Sequence, residues 1–418
     1  MKKIAVKYLF NIFSGSTPES GQAFFWDGEN NWFTPDDLGK IGNNIYIDES
    51  KRKVTEEGIE NANLRFSNPF SIIITKRAPI GNLAIVTKTS SCNQGCFLLE
   101  QKSNFINIKF YYYFFLIQKN ELNALGRGST FLELNADEMR GYEVPIPSLE
   151  QQNKIVDYLD REIAKIDALI EKKTRLIALL DEKKKAVINQ AVTKGLNPKV
   201  AMKDSGIEWL GEIPVHWNIE RLKFLTNKVG SGVTPLGGAN IYTDEGILFL
   251  RSQNIYNDGL KLIDETYIPE EIHNEMKSSQ VMKGDLLLNI TGGSIGRCFY
   301  YDLDIEANIN QHVCIIRVND KILYRYLHFL FISIVGQYQI DLLQYGGGRE
   351  AISFENIKNF VITFPKSIEE QKIIINFLDT ECSRFDKIKD KVKSAIDLLK
   401  DKRIAIISSA INGEINLD

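Results

Sequence analysis

The sequence predicts an α+β protein with two mixed, largely β domains separated by two long helices. These helices are expected to form an antiparallel coiled coil with internal pseudo-two-fold symmetry. Three observations support this: the 418-residue chain repeats itself, two segments carry a long heptad pattern, and short β-branched runs precede each of them. The predicted parts are a first domain at 1–147, a first helix at 148–193, a linker and lead-in at 194–222, a second domain at 223–366, and a second helix with a C-terminal tail at 367–418.

The internal repeat is clearest in the helical segments. Residues 148–197 align with 367–416 without a gap, at an offset of 219 residues. The domains repeat more loosely, as in Ser14-Gly15-Ser16-Thr17-Pro18 and Ser231-Gly232-Val233-Thr234-Pro235. The chain is therefore a duplication whose helices kept their register while its domains diverged.

Each helical segment begins with a capping-box pattern, Ser148 with Gln151 in the first and Ser367 with Glu370 in the second. Apolar residues then follow in alternating steps of four and three for more than four heptads, which is typical of a coiled-coil seam. The predicted seam residues are Ile163, Ile166, Ile170, Ile177, Leu180, Phe385, Val392, Ile396, Leu399 and Ile406. The cationic seam positions are Lys173, Lys184, Lys389 and Arg403. We expect these cations to set the register or to lie near the helix ends. The alternative to pairing is that each helix lies on the surface of its own domain.

Both domains contain short apolar runs punctuated by glycine. The predicted strands are 70–75, 82–86, 246–250, 285–290 and 313–316. A helix is predicted to follow in each domain, around 110–124 and 321–343. The aromatic run from Phe110 to Phe115 is interpreted as the buried face of the first of these helices, with a base-stacking platform as the alternative.

Polar loops lie between the strands, where a rigid scaffold presents variable binding residues. Arginine pairs naturally with guanine in the major groove of DNA, and asparagine or glutamine with adenine. The candidate DNA-binding residues are Lys76, Arg77, Lys88, Arg127, Ser129, Thr130, Arg251, Ser252, Asn254, Thr291, Arg297, Gln311, His312 and Arg349. Each of them taken alone is equally typical of a solvated loop.

Several kinds of chemistry are disfavoured. The sequence has no Gly-x-x-x-x-Gly-Lys-Ser/Thr loop for nucleotide phosphates. Asn68-Pro69-Phe70 resembles an adenine-methyltransferase loop but lacks the second proline, and Phe13-Ser14-Gly15-Ser16 lacks the second glycine of a methyl-donor motif. Cys92 and Cys96 have no matching second pair for a metal site. We therefore expect a non-catalytic chain with no metal.

The remaining totals concern location and charge. Five scattered cysteines fit a reducing cytoplasm, and no apolar run reaches the length of a membrane span. The net charge of −3 is unusual for a DNA-binding protein. Charges are unevenly spread, because 149–205 holds 12 basic and 9 acidic residues while 206–365 holds 13 and 19. Phosphate binding is expected to come from local patches or from a partner.

The lead-in Gly206-Ile207-Glu208-Trp209-Leu210-Gly211-Glu212-Ile213-Pro214-Val215-His216-Trp217 resembles the segment before a recognition domain in specificity subunits of type I restriction-modification systems. Leu149-Glu150-Gln151-Gln152 and Ile368-Glu369-Glu370-Gln371 are similar to the starts of that family's paired helices. The resemblance covers essentially the whole chain. It departs at the start, where no such lead-in precedes Lys7. The first domain is therefore expected to pack its N-terminus differently, or the natural chain to begin upstream.

The resemblance implies two target-recognition domains, each reading one half of a bipartite, asymmetric site in double-stranded DNA. It further implies that the helical spacer fixes their separation and docks two adenine methyltransferase subunits, with restriction (translocase) subunits joining for cleavage. S-adenosylmethionine, ATP and magnesium then belong to those partners. The rival hypotheses are a coiled-coil scaffold joining two protein-binding modules and a self-sufficient methyltransferase. The target bases and the spacer length stay open.

Overall fold

The computed structural model describes residues 2–127, 132–235, 237–343 and 351–416. The chain divides into two compact units. Unit 1 is Met1–Thr174 with Val392–Asp418, and unit 2 is Arg175–Lys391. Each of the two long helices therefore contributes one part to each unit.

The β-rich part of unit 1, here called the first head, precedes a single long helix. Its elements are β1 (Lys3–Ala5), β2 (Phe10–Ser14), β3 (Trp26–Phe33), α1 (Pro35–Gly39), β4 (Tyr46–Ile47), β5 (Lys53–Val54), α2 (Glu56–Ala62), β6 (Ile72–Thr75), β7 (Leu83–Val86), β8 (Ser90–Cys92), β9 (Cys96–Gln101), α3 (Ile108–Ile117), α4 (Lys119–Leu125), α5 (Ala136–Gly141) and β10 (Glu143–Pro145). The long helix that follows is α6 (Leu149–Lys194), the first arm.

The second head follows the first arm and repeats this plan. Its elements are β11 (Met202–Asp204), β12 (Glu212–Pro214), β13 (Trp217–Arg221), β14 (Thr226–Ser231), β15 (Ile247–Leu250), β16 (Ile255–Tyr256), β17 (Gly259–Leu260), β18 (Tyr267–Ile268), α7 (Glu270–Glu275), β19 (Gln280–Val281), β20 (Leu286–Asn289), β21 (Cys298–Tyr300), β22 (Ala307–Ile309), β23 (Val313–Val318), α8 (Tyr324–Ile332), α9 (Ile334–Leu342), α10 (Phe354–Lys358) and β24 (Val361–Pro365). The second arm is α11 (Ile368–Ile411).

The central strands of the two heads have the same order. The order β2-β9-β6-β7 in the first head matches β14-β23-β20-β21 in the second. A parallel pair, β3 with β8, matches the parallel pair β15 with β22. The terminal pair β1 with β10 matches β13 with β24, both antiparallel. The duplication seen in the sequence is therefore a duplication of the fold.

Each head shares a hydrophobic core with the arms. In unit 1, Ile155 and Leu159 of the first arm and Ile407 of the second arm belong to one buried cluster with the aromatic residues of α3. In unit 2, the equivalent cluster joins Ile188 of the first arm and Ile374 of the second arm to residues of α8 and β23.

The arms run antiparallel in each unit. In unit 2, the Lys389 ammonium is hydrogen-bonded to the Asp181 carboxylate, and the Lys184 ammonium lies 2.8 Å from the Asp386 carboxylate. The step from Asp181 to Lys184 in the first arm thus matches the step from Lys389 back to Asp386 in the second, which is the antiparallel direction. In unit 1, the Arg403 guanidinium lies 3.4 Å from the Asp167 carboxylate. At the 219-residue offset, this is the same contact as Lys184 with Asp386.

Two further contacts fix each head to the start of its arm. The amide oxygen of Gln152, which is fully buried, accepts from the Asn107 backbone N–H at 2.7 Å. Its repeat, Gln371, accepts from the Leu323 N–H at 2.8 Å. About two helical turns further along each arm, Tyr113 donates to Asp160 at 2.8 Å, and Arg325 donates to the equivalent Asp379 at 2.8 Å.

The structure confirms the predicted fold class and the five predicted strands, within one or two residues at each end. The capping box of the first arm is present, because Ser148 and Gln151 exchange hydrogen bonds of 3.2 and 3.3 Å. The aromatic run from Phe110 to Phe115 is buried. All ten predicted seam residues are buried or half-buried. The predicted helix at 110–124 is two helices, which meet at Gln118, and the helix at 321–343 likewise breaks at Ser333.

A substitution at Gln152 tests the junction between head and arm. Gln152→Leu removes the acceptor for the Asn107 N–H and the donor to the Pro147 carbonyl, which lies 3.0 Å away. Leaving buried polar groups unpaired costs about 1–3 kcal/mol. We expect the unfolding midpoint in denaturant to fall accordingly. The control is Lys154→Met on the exposed face of the same helix, and equal midpoints for the two variants would contradict the assigned role.

Candidate nucleic-acid interface

Several loops with predicted binding residues meet at one edge of the sheet that contains β2 in the first head and β14 in the second. In the first head, the end of β2 pairs with the start of β9, since Ser14 lies opposite Phe97, and the end of β6 pairs there too. In the second head, Ser231 at the end of β14 lies opposite Cys314, and β20 ends at the same edge. We call these places the first and second loop clusters.

A glycine holds each cluster together. Gly15 approaches the neighbouring loop so closely that an added Cβ would lie 2.1 Å from the carbonyl oxygen of Cys92. Gly232 is the counterpart, with 1.9 Å to the oxygen of Ile309. No larger side chain fits at either position without moving backbone. The repeated Ser-Gly-x-Thr-Pro motif is therefore a packing signature of this edge, where two loops meet.

The first loop cluster is cationic and self-paired. The Lys76 ammonium lies 3.0 Å from both the Ser14 hydroxyl and the Glu133 carboxylate. The Arg77 guanidinium lies 2.9 Å from the other oxygen of Glu133. Arg127 exchanges backbone hydrogen bonds of 3.0 Å with Glu133. Glu133 therefore gathers three of the predicted residues at one place.

Electrostatics keep this arrangement ionised. Burial raises the pKa of Glu133, but hydrogen bonds from Lys76 and Arg77 outweigh it and hold the pKa below its usual value. A carboxyl whose folded pKa is depressed contributes stability above its unfolded pKa, and this stability is lost as the pH falls through the folded value. The carboxylate clamp on both cations is therefore intact throughout the neutral range.

The described residues of the second loop cluster contribute polar side chains. The Thr291 hydroxyl lies 2.6 Å from Nδ1 of His312, and the side-chain nitrogen of Gln311 lies 3.1 Å from Nε2 of the same ring. Gln311 is exposed and His312 is half-buried. Behind them, the buried Asn289 donates to the Ser252 carbonyl at 2.8 Å and to the Ser294 hydroxyl at 3.1 Å. This cluster offers amide, hydroxyl and imidazole groups where the first offers cations.

Other predicted residues lie apart from the clusters or serve the protein itself. Lys88 pairs with Glu49 at 2.5 Å, and hydrogen bonds from Lys53 and Lys88 lower the pKa of Glu49 to about 2. Asn254 is buried, and its amide accepts from the Arg251 N–H at 2.9 Å while donating to the Lys261 carbonyl at 3.0 Å. These contacts hold a turn.

The remaining predicted residues are Arg251, Ser252, Arg297, Ser129, Thr130 and Arg349. Arg251 donates to the Asp264 carbonyl at 3.1 Å. The Arg297 guanidinium stacks over Tyr256, 4.8 Å from the ring centroid. Ser129, Thr130 and Arg349 lie outside the described residues.

Some residues of the clusters carry no DNA-binding prediction. Thr17 and Gln94 are hydrogen-bonded to each other across the two loops of the first cluster. In the second cluster, Asn310 accepts from the His312 N–H at 3.2 Å. The sequence signal for these positions is repetition, because Ser-Gly-x-Thr-Pro recurs in both heads at this edge and Asn93-Gln94 recurs as Asn310-Gln311.

The described residues also bear on other chemistry. Among them, no group of three or more His, Cys, Asp or Glu side chains is placed to hold a metal ion. Burial raises the pKa of the Cys92 thiol to about 12, so this thiol stays protonated at neutral pH. Within the described ranges, no helix is long and apolar enough to cross a membrane.

Comparisons with known proteins identify the class. The family described as "Type I restriction modification DNA specificity domain" matches residues 1–178 and 214–397. The MjaIX specificity subunit of Methanocaldococcus jannaschii is 27% identical, over 99% of this chain and 93% of that protein. The EcoBI specificity subunit of Escherichia coli is 26% identical, over 77% of this chain and 69% of that protein.

Solved structures show the same fold. A chain from a study of complex assembly and conformational transition of the type I R-M system superposes with a TM-score of 0.65 at 16% identity, covering 99% of this chain and 98% of that one. The HsdS subunit from Thermoanaerobacter tengcongensis gives a TM-score of 0.50 at 15% identity, with 99% and 97% covered.

The two family matches cover one head and part of one arm each, and together they span most of the chain. The chain belongs to the family of type I restriction-modification DNA specificity subunits. It is thus a non-catalytic subunit that recognises DNA and assembles with other subunits, as the sequence predicted.

Releasing the clamp of the first loop cluster tests its electrostatics. Glu133→Gln removes the carboxylate that neutralises Lys76 and Arg77. Because free cations bind phosphate regardless of sequence, we expect affinity for DNA of unrelated sequence to rise roughly two- to tenfold, with a steeper salt dependence. Fluorescence anisotropy over a salt series measures both. The control Glu150→Gln, at the start of the first arm, should change neither quantity. If Glu133→Gln leaves the affinity and its salt dependence as they are, Glu133 does not neutralise the two cations.

Proposed function

We propose that each head reads one half of a bipartite, asymmetric site in double-stranded DNA through its loop cluster. The observation that carries this proposal is the recurrence of one loop cluster at the same sheet edge of both heads, with different chemistry in each. The first cluster offers Lys76, Arg77 and Arg127. The second offers Thr291, Gln311 and His312.

The difference in chemistry supports two unlike half-sites. Arginine and lysine donate to the O6 and N7 acceptors of guanine, whereas a glutamine amide matches the N6 and N7 pattern of adenine. A threonine methyl or hydroxyl contacts several bases less selectively. The first head is thereby suited to a guanine-containing half and the second to a half with adenine. Contacts to phosphate would position the protein, and these side chains would specify the bases.

The arms are the proposed spacer and the docking site for two adenine methyltransferase subunits. Each unit exposes a pair of apolar arm residues, Leu169 with Leu398 in unit 1 and Leu179 with Ile388 in unit 2, with relative exposures of 36–69%. Asp167 and Arg403 are paired across the antiparallel arms. Five residues from this pair in each arm, Leu398 therefore lies opposite Lys172, one helical turn from Leu169.

Counting from Lys184 and Asp386 in unit 2 gives the same spacing. Ile388 then falls opposite Glu182, one turn from Leu179. Exposed apolar pairs repeated at equivalent positions of the two units favour two copies of one partner, because exposed apolar patches mark interaction sites.

The chemistry of the complex is proposed to belong to its partners. S-adenosylmethionine would be held by the methyltransferase subunits, and ATP and magnesium by the restriction (translocase) subunits. The net charge of −3 supports this division, because partners that embrace the duplex would supply much of the phosphate contact and its salt dependence.

A cytoplasmic location is part of the proposal. All five cysteines are free thiols. Burial raises the pKa of Cys314 to about 12 and that of Cys382 to about 11. Protonated, largely buried thiols suit a reducing compartment.

Exchange of one head tests the bipartite reading. We expect replacement of residues 1–147 by the first head of another family member to change one half of the methylated motif and to leave the other half intact. Methylation-sensitive sequencing of DNA from cells that carry the complete system reads the motif. Exchange of 223–366 is the reciprocal control. A motif unaffected by either exchange would favour a scaffold that joins protein-binding modules.

Charge substitutions on the exposed arm pair test docking. Leu169→Lys with Leu398→Lys should remove one of two methyltransferase copies, because a desolvated lysine in an apolar interface is strongly unfavourable. Native mass spectrometry of the reconstituted complex counts the copies, and Lys172→Gln is the matched control. Retention of both copies would exclude this surface.

Comparison of the complex with the isolated chain tests how docking affects DNA affinity. We expect tight, site-specific binding by the complex and weak binding by the isolated chain across a salt series. Equal site-specific affinity with and without the methyltransferase would contradict the proposal that partners supply the phosphate contacts.

A further inference from the structure

Three lysines of the second head line one groove. Lys223 lies in the short 3-10 helix that precedes β14, Lys228 lies in β14, and Lys358 ends α10. The groove that they share has a volume of about 380 Å³, and we call it the basic groove. It concentrates positive charge in an acidic part of the chain, because 206–365 holds 13 basic and 19 acidic residues.

The described part of the chain supplies no counterion to this groove. None of the three ammonium groups forms an ion pair with a carboxylate of the described residues. Lys228 is half-buried and lies opposite Arg317 in the β14–β23 pair, and like charges at directly opposite strand positions repel each other. The Arg317 guanidinium is already paired with the buried Asp285 carboxylate at 2.7 Å. The groove is therefore suited to an anion from outside the chain.

The electrostatics of the neighbouring groups agree with this. Burial lowers the pKa of Lys228, the charge of Arg317 lowers it further, and the charge of Asp285 offsets only part of the change. Lys358 lies close to the same place. Burial raises the pKa of the Cys314 thiol to about 12, and the charges of Lys228 and Lys358 both act against this increase. An anion beside Lys228 would favour its charged form.

The basic groove is continuous with the second loop cluster. β14 runs from Lys228 in the groove to Ser231 in the cluster, which is roughly 10 Å at about 3.3 Å per residue. α10 connects the same two places, because Ala351, just before this helix, pairs with Thr291 of the cluster and Lys358 ends the helix. On a DNA duplex, roughly 10 Å is about three steps of 3.4 Å along the axis. A duplex whose bases meet the cluster therefore brings a flanking phosphate near the groove.

The first head repeats one part of this surface. Tyr8 and Phe224 are exposed aromatic residues, and each has the ammonium of the preceding lysine 5.2 Å from its ring centroid. They take equivalent places, since the 3-10 helices that end at them precede β2 and β14, which have the same place in the two sheet orders. Exposed side chains form no core, so their repetition points to a ligand that both heads share. The sugar–phosphate backbone is such a ligand, because it is the same at every target sequence.

The first head balances the charge at its counterpart of the groove. Asn11, which lies opposite Glu100, takes the place of Lys228. Arg140, in the last turn of the short helix α5, pairs with Asp137 at 2.9 Å. The first head thus gathers cations in its loop cluster, whereas the second head gathers them in the basic groove.

We propose, building on the DNA reading proposed for the second loop cluster, that the basic groove binds a phosphate of the DNA backbone beside the second half-site. Lys228 and Lys358 donate to the phosphate oxygens, and the exposed Lys223 adds a third charge. Lysine acts on phosphate as a point charge. The contact therefore carries no sequence information and instead fixes the position of the second head on the duplex.

Removal of two of the charges tests the groove in the full chain, reconstituted with its methyltransferase subunits. For Lys228→Gln with Lys358→Gln, we expect the affinity for cognate DNA and for DNA of unrelated sequence to fall by the same factor, about five- to twentyfold, and the slope of log affinity against log salt to shrink by roughly 1–2. The unfolding midpoint should not fall, because the substitutions remove repulsion between like charges.

Two controls separate place from charge. Lys277→Gln with Lys366→Gln removes the same charge from exposed positions of the same unit and should leave the slope as it is. Lys228→Arg keeps the charge in the groove and should also keep the slope. An equal change of slope for the groove pair and the control pair overturns the proposal.

Neutral methylphosphonate groups, placed one at a time along the cognate duplex, locate the contact. We expect the original chain to lose affinity at neighbouring positions beside the half-site that the second head reads, and the double variant to be insensitive there. Insensitivity of the original chain at all these positions overturns the proposal. So does loss of a methyltransferase copy in native mass spectrometry with an unchanged salt slope, since the groove would then contact protein. The slope on unrelated DNA tests the groove even where head exchange leaves the methylated motif unchanged, so the two proposals fail separately.

Discussion

One charge pair between the arms sets the geometry on which the rest of each unit depends. Asp167 with Arg403 in unit 1 and Asp386 with Lys184 in unit 2 are the same contact made twice. An apolar seam of isoleucine and leucine tolerates a slip of one heptad, since every register buries similar side chains. A slip that leaves a partly buried ion without its partner is strongly unfavourable. The pair therefore selects one antiparallel register, which decides which arm residues enter the core of each head.

The junctions between heads and arms have been kept while the heads diverged. Gln152 and Gln371, both fully buried, satisfy equivalent backbone groups in the two heads. Asp160 and Asp379 receive different donors, a tyrosine with a lysine in one case and an arginine in the other. A fixed mounting leaves the opposite edge of each sheet free to change, because the loop clusters share no residue with these junctions.

Periodicity explains what the sequence could predict. The arms and the central strands follow from the spacing of apolar residues, which is a local property. The breaks at Gln118 and Ser333 were not predicted, because neither position is a proline or a glycine, and apolar residues flank Ser333 on both sides. Partners distant in the sequence were also invisible. Glu133 lies 56 residues from Arg77, and no pattern in either segment indicates that they meet. Loop composition likewise did not distinguish Asn254, which holds a turn, from Gln311, which faces solvent.

The ion pairs within the first loop cluster offer a reason why a subunit that recognises DNA has a negative net charge. Lys76 and Arg77 attract phosphate at long range regardless of sequence, which raises non-specific affinity. Glu133 neutralises much of that attraction while it holds both side chains in one orientation. In the proposed function, a guanine edge competes for these donors, because bidentate hydrogen bonding rewards a correct geometry more than net charge does. The relevant quantity for such a subunit is the ratio of specific to non-specific affinity. Lowering the non-specific affinity raises that ratio as effectively as raising the specific affinity does.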